Sequence, residues 1–199
     1  YGDKQILVQT DAVVRRGDKI GLVGPNGVGK STLLRIIAGT EPFEGERIEG
    51  YNVEPCFFAQ HQLEALNVQN SIWEEVLDFA PDLPNQVLRT TLGCFLFSGD
   101  TVDKKIKVLS GGEKSRVAMA KVCLTQANFM LFDEPTNHLD IQSIDLLIEA
   151  LREYTGTFVV VSHDRHFLRQ VTNKVWYVED RQLKVYPGTF AEWEQWMAG

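Results

Sequence analysis

Gly24-Pro25-Asn26-Gly27-Val28-Gly29-Lys30-Ser31-Thr32, read as GPNGVGKST, decides how the rest of the chain is understood. It fits G-x-x-x-x-G-K-[ST] at every fixed position. The apolar run at 19–23 (KIGLV) reads as a buried strand before it. Residues 30–38 (KSTLLRIIA) carry apolar positions at helical spacing after it, and Gly39 is a plausible stop. Gly24, Asn26, Gly27 and Gly29 belong to a loop that can curl until several N–H groups converge on one phosphate. The following helix adds its partial positive N-terminus. Lys30 can reach β- and γ-phosphates, Ser31 offers a hydroxyl to Mg²⁺, and Thr32 offers a second hydroxyl nearby. The plainer reading, a glycine turn with a solvated lysine, does not account for the full match in this context.

The bulk numbers permit such a domain. The 199 residues suffice for one domain with a sizeable core. No apolar run approaches eighteen residues, and the N-terminus lacks a signal-peptide layout. The chain starts at Tyr1 without Met and reads as a piece of something longer. A net charge of −7 argues against an isolated nucleic-acid-binding domain. Cys56, Cys94 and Cys123 are odd in number and far apart, and fit neither a disulfide framework nor a metal site.

Apolar runs alternating with helical patterns predict an α/β layout. Short strands are expected at 47–49, 53–58, 129–132 and 157–161, and a closing hairpin at 175–179 and 183–186. Helices are expected at 71–79, 85–92, 143–154, 165–170 and 189–197. About 61–126 reads as a mostly helical subdomain within a single domain spanning 1–199.

A phosphate loop of this kind needs an acid for Mg²⁺ and a group that orients the attacking water. Phe129-Met130-Leu131-Phe132-Asp133-Glu134 supplies both in adjacent positions. Asp133 would hold the metal. Glu134, expected on the opposite side of the pleat, would polarise the water. Two acids ending a strand could instead merely favour the next helix start. Gln60 and His163 also follow apolar runs, and in a parallel sheet they would share the edge with Asp133. His163 could bond a γ-phosphate oxygen or the water, and Gln60 could ligate Mg²⁺; either could equally be a satisfied polar group at a strand end. Asp164 reads as a helix cap.

Leu109-Ser110-Gly111-Gly112-Glu113-Lys114 is a second candidate anion reader. Ser110 and Glu113 have capping-box spacing ahead of a helix running to about 126. That alone could explain them. Gly111 and Gly112, however, remove side chains that would block close approach, which a plain cap does not require.

Taken together these stretches resemble the ATP-binding cassette (ABC) superfamily over nearly the whole chain and in its order. Gly24–Thr32 resembles Walker A, Leu109–Glu113 the signature motif, Phe129–Glu134 Walker B, and Leu139-Asp140 the D-loop. Gln60 falls at the Q-loop, His163 at the switch histidine, and Tyr1 where an aromatic stacks on adenine. The resemblance implies a P-loop NTPase core of ABC type: a mostly parallel sheet flanked by helices, an antiparallel β part and a small helical subdomain. It implies ATP and Mg²⁺ as ligands and ATP hydrolysis as the reaction. Pro135–Asp140, Ser162–Arg165, Glu113 in place of the usual Gln, Phe58–Gln62 and Tyr186–Gly188 look like the ABC-F class, and within it the second of two cassettes.

In the family two cassettes pair head to tail, and the signature of each faces the γ-phosphate held by the other. The expected partner is therefore a second cassette, in the same polypeptide of the parent or as a homodimer of this piece, and hydrolysis should be slow without it. ABC-F resemblance implies a ribosomal partner for the parent and a cytoplasmic location without membrane insertion. The competing reading is the ATPase part of a membrane transporter. A chromosome-maintenance ATPase head would need sustained heptads, which are not seen.

Overall fold

The computed structural model describes residues 6–58, 66–137 and 139–199. They form two compact units. The first comprises 1–59, 127–135 and 154–199; the second comprises 60–126 and 136–153.

The first unit is built on a six-stranded sheet. Its strands are β1 (Lys19–Val23), β2 (Pro55–Phe58), β3 (Phe129–Asp133), β4 (Thr157–Val161), β5 (Lys174–Glu179) and β6 (Gln182–Tyr186), in the order β2-β3-β4-β1-β5-β6. Every pairing is parallel except β5 with β6. Strands of a parallel sheet are covered on both faces, so they read as continuous apolar runs. β4, TFVVV, is buried at all five positions. The β5–β6 hairpin closes through Asp180 and Arg181, at φ 50° and 59°. Two left-handed residues match the twist of a two-residue hairpin. Ile20, Leu22, Leu34, Leu131, Val159, Val161 and Trp176 make the core.

Helix α1 (Lys30–Ala38) starts on Gly29 at φ 104° and ends on Gly39 at φ 76°. Both are left-handed positions that only glycine adopts at low cost. α6 (Arg165–Val171) buries Phe167, Leu168 and Val171, and α7 (Phe190–Ala198) buries Phe190. The strand expected at 47–49 is not formed. Ile48 is 82% exposed, and Arg47 spends its guanidinium on Ile37 O and Glu49. Without a neighbouring ladder, the β-like composition of that stretch has nothing to pair with. The strand expected at 53–58 begins only at Pro55, because Glu54 N–H bonds the Asn128 side chain.

The second unit holds α2 (Ile72–Phe79), α3 (Asn85–Cys94), α4 (Gly111–Leu124) and α5 (Ile141–Glu153), with short 3₁₀ turns at Gly99–Asp103 and Ile106–Val108. α4 packs against α2, α3 and α5. α5, which follows the β3 segment in sequence, thus groups with the helices by packing. A buried ion pair ties α2 to α4: Lys121 Nζ lies 2.6 Å from Glu75 Oε1, with little of either side chain exposed. Breaking such a pair strands a charge, which costs more than the pair contributes.

Three helices begin with the same device. Ser71 with Glu74, Ser110 with Glu113, and Thr189 with Glu192 each form a reciprocal capping box. All three carboxyls are held below their ordinary value, chiefly by the backbone N–H they accept; for Glu74 the result is about 2. A depressed folded value means stability that is present above the unfolded value near 4.5 and lost as pH falls through about 2. Glu74→Gln should therefore flatten the fall in melting temperature between about pH 5 and pH 2. An unchanged acid slope would remove the cap from the acid response.

Candidate functional site

In the first unit, parallel register brings the C-terminal ends of β1, β3 and β4 to one edge, with β3 and β1 flanking β4. The loop after β1 is Gly24–Gly29. The loop after β3 starts at Glu134, and the loop after β4 carries Ser162 and His163. Crossovers in such a sheet leave ligand-binding loops at this edge.

Lys30 occupies the first position of α1 and is 8% exposed. Its ammonium donates to Gly24 O at 2.8 Å and Pro25 O at 3.0 Å. Burial lowers its pKa, and the Glu134 and Asp133 carboxylates act in the opposite sense. The lysine is thus a desolvated cation in the field of two carboxylates. Ser31 Oγ donates to Asp133 Oδ1 at 3.0 Å. A hydroxyl and a carboxylate side by side are the hard oxygen donors that Mg²⁺ takes. Thr32 sits in the same turn, and Asn26 and Gly27 lie at the exposed crest of the loop.

The strand ends at Asp133, so pleat alternation does not set the direction of Glu134. Glu134 has φ 52°, a left-handed conformation, and its N–H donates to Val161 O at 2.9 Å. A non-glycine residue there is strained by roughly 1 kcal/mol. The turn brings its carboxylate to His163. His163 N–H donates to Glu134 Oε2 at 3.2 Å, and its Nε2 lies 3.3 Å from Oε1. Asp164 caps α6 by accepting from Phe167 N–H at 3.0 Å, as its position after an apolar run predicts. An open cleft of about 590 Å³ in the same unit is bounded by Gly24, Pro25, Lys30, His163, Arg165 and Trp193. Sequence reasoning gave Arg165 and Trp193 no role at the site; their contribution comes from the packing of α6 and α7.

Tyr1 and Gln60 lie outside the described residues. β2, the strand before Gln60 in sequence, ends at Phe58.

Ser110, Gly111 and Gly112 belong to the second unit. Ser110 Oγ accepts from Glu113 N–H at 3.2 Å, and Ser110 N–H donates to Glu113 Oε2 at 2.8 Å. A Cβ at Gly111 would meet nothing within 4 Å, whereas one at Gly112 would come 2.7 Å from Asp140 Oδ2. That carboxylate is not free to swing away, because its Oδ1 accepts Ser143 N–H at 2.7 Å at the start of α5. Gly112 is thus required by the chain's own aspartate, a contact that the sequence does not announce.

A family profile described as "ABC transporter" matches residues 7–137. The chain belongs to the ABC family. ABC transporter F family member 5 of Arabidopsis thaliana is 44% identical over 96% of this chain and 28% of its own length. Probable ATP-binding protein YheS of Escherichia coli strain K12 is 42% identical over 100% of this chain and 31% of its own length. Putative ATP-binding protein YdiF of Bacillus subtilis is 43% identical over 93% of this chain and 29% of its own length. The chain therefore spans less than a third of these relatives. Among solved structures, cbiO1 of Clostridium perfringens, part of the ABC transporter complex cbiONQ, has TM-score 0.74 at 24% identity, covering 92% of this chain and 81% of that one. At that identity the likeness shows the fold. The mostly parallel α/β architecture and membership of the ABC family agree, and make this an ATPase cassette. Among the described residues no helix is long and apolar enough to cross a membrane.

Gly112→Ala should push Asp140 off its cap and lower stability by about 1 kcal/mol, read as a small fall in melting temperature. Full stability in the variant would mean that the aspartate moves without loss.

Proposed function

We propose that this cassette binds Mg-ATP at the edge formed by Lys30, Ser31 and Asp133, and hydrolyses it when paired with a second cassette. The observation that carries the reading is the Glu134–His163 contact beside the Ser31–Asp133 pair. Lys30 exchanges its carbonyl partners for β- and γ-phosphate oxygens, and the loop N–H groups cradle the phosphates. Ser31 Oγ and the Asp133 carboxylate would hold Mg²⁺, which would neutralise phosphate charge during hydrolysis. Glu134 takes the proton of the attacking water. The water oxygen bonds to the γ-phosphorus, the bridging P–O bond breaks, and ADP leaves with that electron pair. His163 holds the Glu134 carboxylate in line and hydrogen-bonds the water or a γ-oxygen. Gln60 and Tyr1 are assigned to the metal and the adenine on resemblance alone.

Ser110, Gly111 and Gly112 serve the γ-phosphate of the partner cassette. The open space at Gly111 supports this, since an incoming anion meets no side chain there. In the parent the partner is a second cassette of the same polypeptide; for this piece it is a second copy. The relatives named as F family members support an ABC-F parent, and with it a cytoplasmic ATPase acting on the ribosome in translation. Co-sedimentation of the full-length parent with ribosomes supports that assignment, and recovery in the membrane fraction favours a transporter.

Glu134→Gln should leave nucleotide affinity nearly intact and cut turnover by about a hundredfold or more. Lys30→Ala should weaken nucleotide binding by about tenfold or more, because it removes charge-assisted bonds to phosphate. Turnover retained in the first variant, or affinity retained in the second, contradicts the role given. Turnover per molecule should also rise with protein concentration until pairing saturates; a flat profile argues against a shared site.

A further inference from the structure

We infer that Glu194, on the C-terminal helix, is a positioning residue for hydrolysis, acting through α6 on His163. The inference rests on the reading of Glu134 and His163 given above. Glu194 has a side chain only 15% exposed, yet it faces two guanidinium groups. Arg169 Nε lies 2.6 Å from its Oε2 and Arg165 Nη1 lies 3.4 Å from its Oε1. The two arginines are four residues apart, on one face of α6. Each oxygen of its carboxylate is met by a different guanidinium, one from each turn of α6. The contact therefore fixes the rotation of α6 against α7 rather than decorating the surface.

α6 is a short helix, and its first residue is Arg165. The chain from β4 to α6 is held by local hydrogen bonds. Asp164 N–H donates to Ser162 Oγ at 3.1 Å, and the Asp164 carboxylate accepts Phe167 N–H. Between them sits His163, bonded to Glu134 through both its backbone N–H and its ring. Those two contacts, at 3.2 and 3.3 Å, tolerate little displacement. A helix that rolls about its axis carries its first residue, Arg165, with it, and His163 is two residues upstream. Arg165 also borders the cleft shared by Lys30 and His163, with 73% of its side chain exposed. Glu194 thus holds this arginine toward α7. Among the described residues, the hydrogen bond and ion pairs of Glu194 run to α6 and not to the phosphate loop or α1. Loss of the clamp should accordingly affect the chemical step and spare nucleotide binding.

The test uses the whole 199-residue chain at a concentration where turnover has reached its plateau, with ATP as substrate. Glu194→Gln keeps the shape and removes the charge; Arg169→Gln removes the same clamp from the other side, at a residue that does not border the cleft. Both should lower kcat about fivefold or more and leave KM and nucleotide affinity within about twofold, with Glu194→Asp recovering part of the loss. In a His163→Ala background, Glu194→Gln should change the residual kcat less than twofold, because the pathway it serves is already gone. Wild-type kcat in Glu194→Gln, or a further fivefold loss on top of His163→Ala, overturns the inference. A change confined to KM overturns it too. Full turnover in His163→Ala alone would instead sink the Glu134–His163 reading, and this inference with it.

Discussion

A desolvated lysine has to be answered by oxygen. Lys30 is buried at the first turn of α1, and its ammonium is met by Gly24 O, Pro25 O and the fields of Asp133 and Glu134. That requirement explains much of the first unit. The loop must fold back far enough to present two carbonyls, which needs left-handed glycines at 27 and 29. β3 must run parallel beside β4, next to β1, so that its terminal acid reaches Ser31. β4 must be buried over its whole length so that His163 arrives at the same edge. Each condition is a statement about strand register, and register in a parallel sheet is set by apolar runs without interruption.

The parts legible in the sequence are those where the local pattern and the tertiary outcome agree. KIGLV, FMLF and TFVVV are short apolar runs ending in Gly, Asp and Ser, and they form strands at those positions. Ser71-x-x-Glu74 and Ser110-x-x-Glu113 start helices because both partners of each cap lie within one turn. The parts that were not legible depend on partners remote in sequence. Glu134 owes its direction to a left-handed turn and a bond to Val161 O, not to pleat alternation. Residues 47–49 have strand-like composition but no neighbour to pair with. Asp140 meets Gly112 across 28 positions of sequence, and no spacing rule links them. The Glu194 clamp joins the last helix to the residue after a cap, again with no local signal.

The helical unit follows a different logic. α4 is its centre, and it carries a buried charge pair with α2 as well as apolar contacts. Lys121 and Glu75 tie the rotation of α4 to α2, since a displaced lysine leaves the Glu75 carboxylate to its bonds from Asn67 N–H and Asn70 Nδ2. What that rotation presents is the turn Ser110–Gly112. Asp140, pinned to Ser143, then lies against the glycine that the turn needs. The signature turn is consequently set from two sides within its own unit.

The two helix N-termini that sequence reading singled out as phosphate readers are not equivalent. α1 begins without a side-chain cap and without an acid in its first turn. Its leading N–H groups are left for a ligand, and Lys30 and Ser31 stand in the first two positions to add charge and a hydroxyl. α4 begins with Ser110 closing onto Glu113 N–H, so one donor is already taken, and Glu113 puts a carboxylate in the turn. A carboxylate there competes with any arriving anion. α4 therefore cannot hold a phosphate as α1 can. It can supply a hydroxyl and uncovered glycine backbone to a phosphate that something else has already fixed. That inequality is what the proposed pairing requires: a strong reader holds the nucleotide, and a weak one completes a nucleotide held by another cassette.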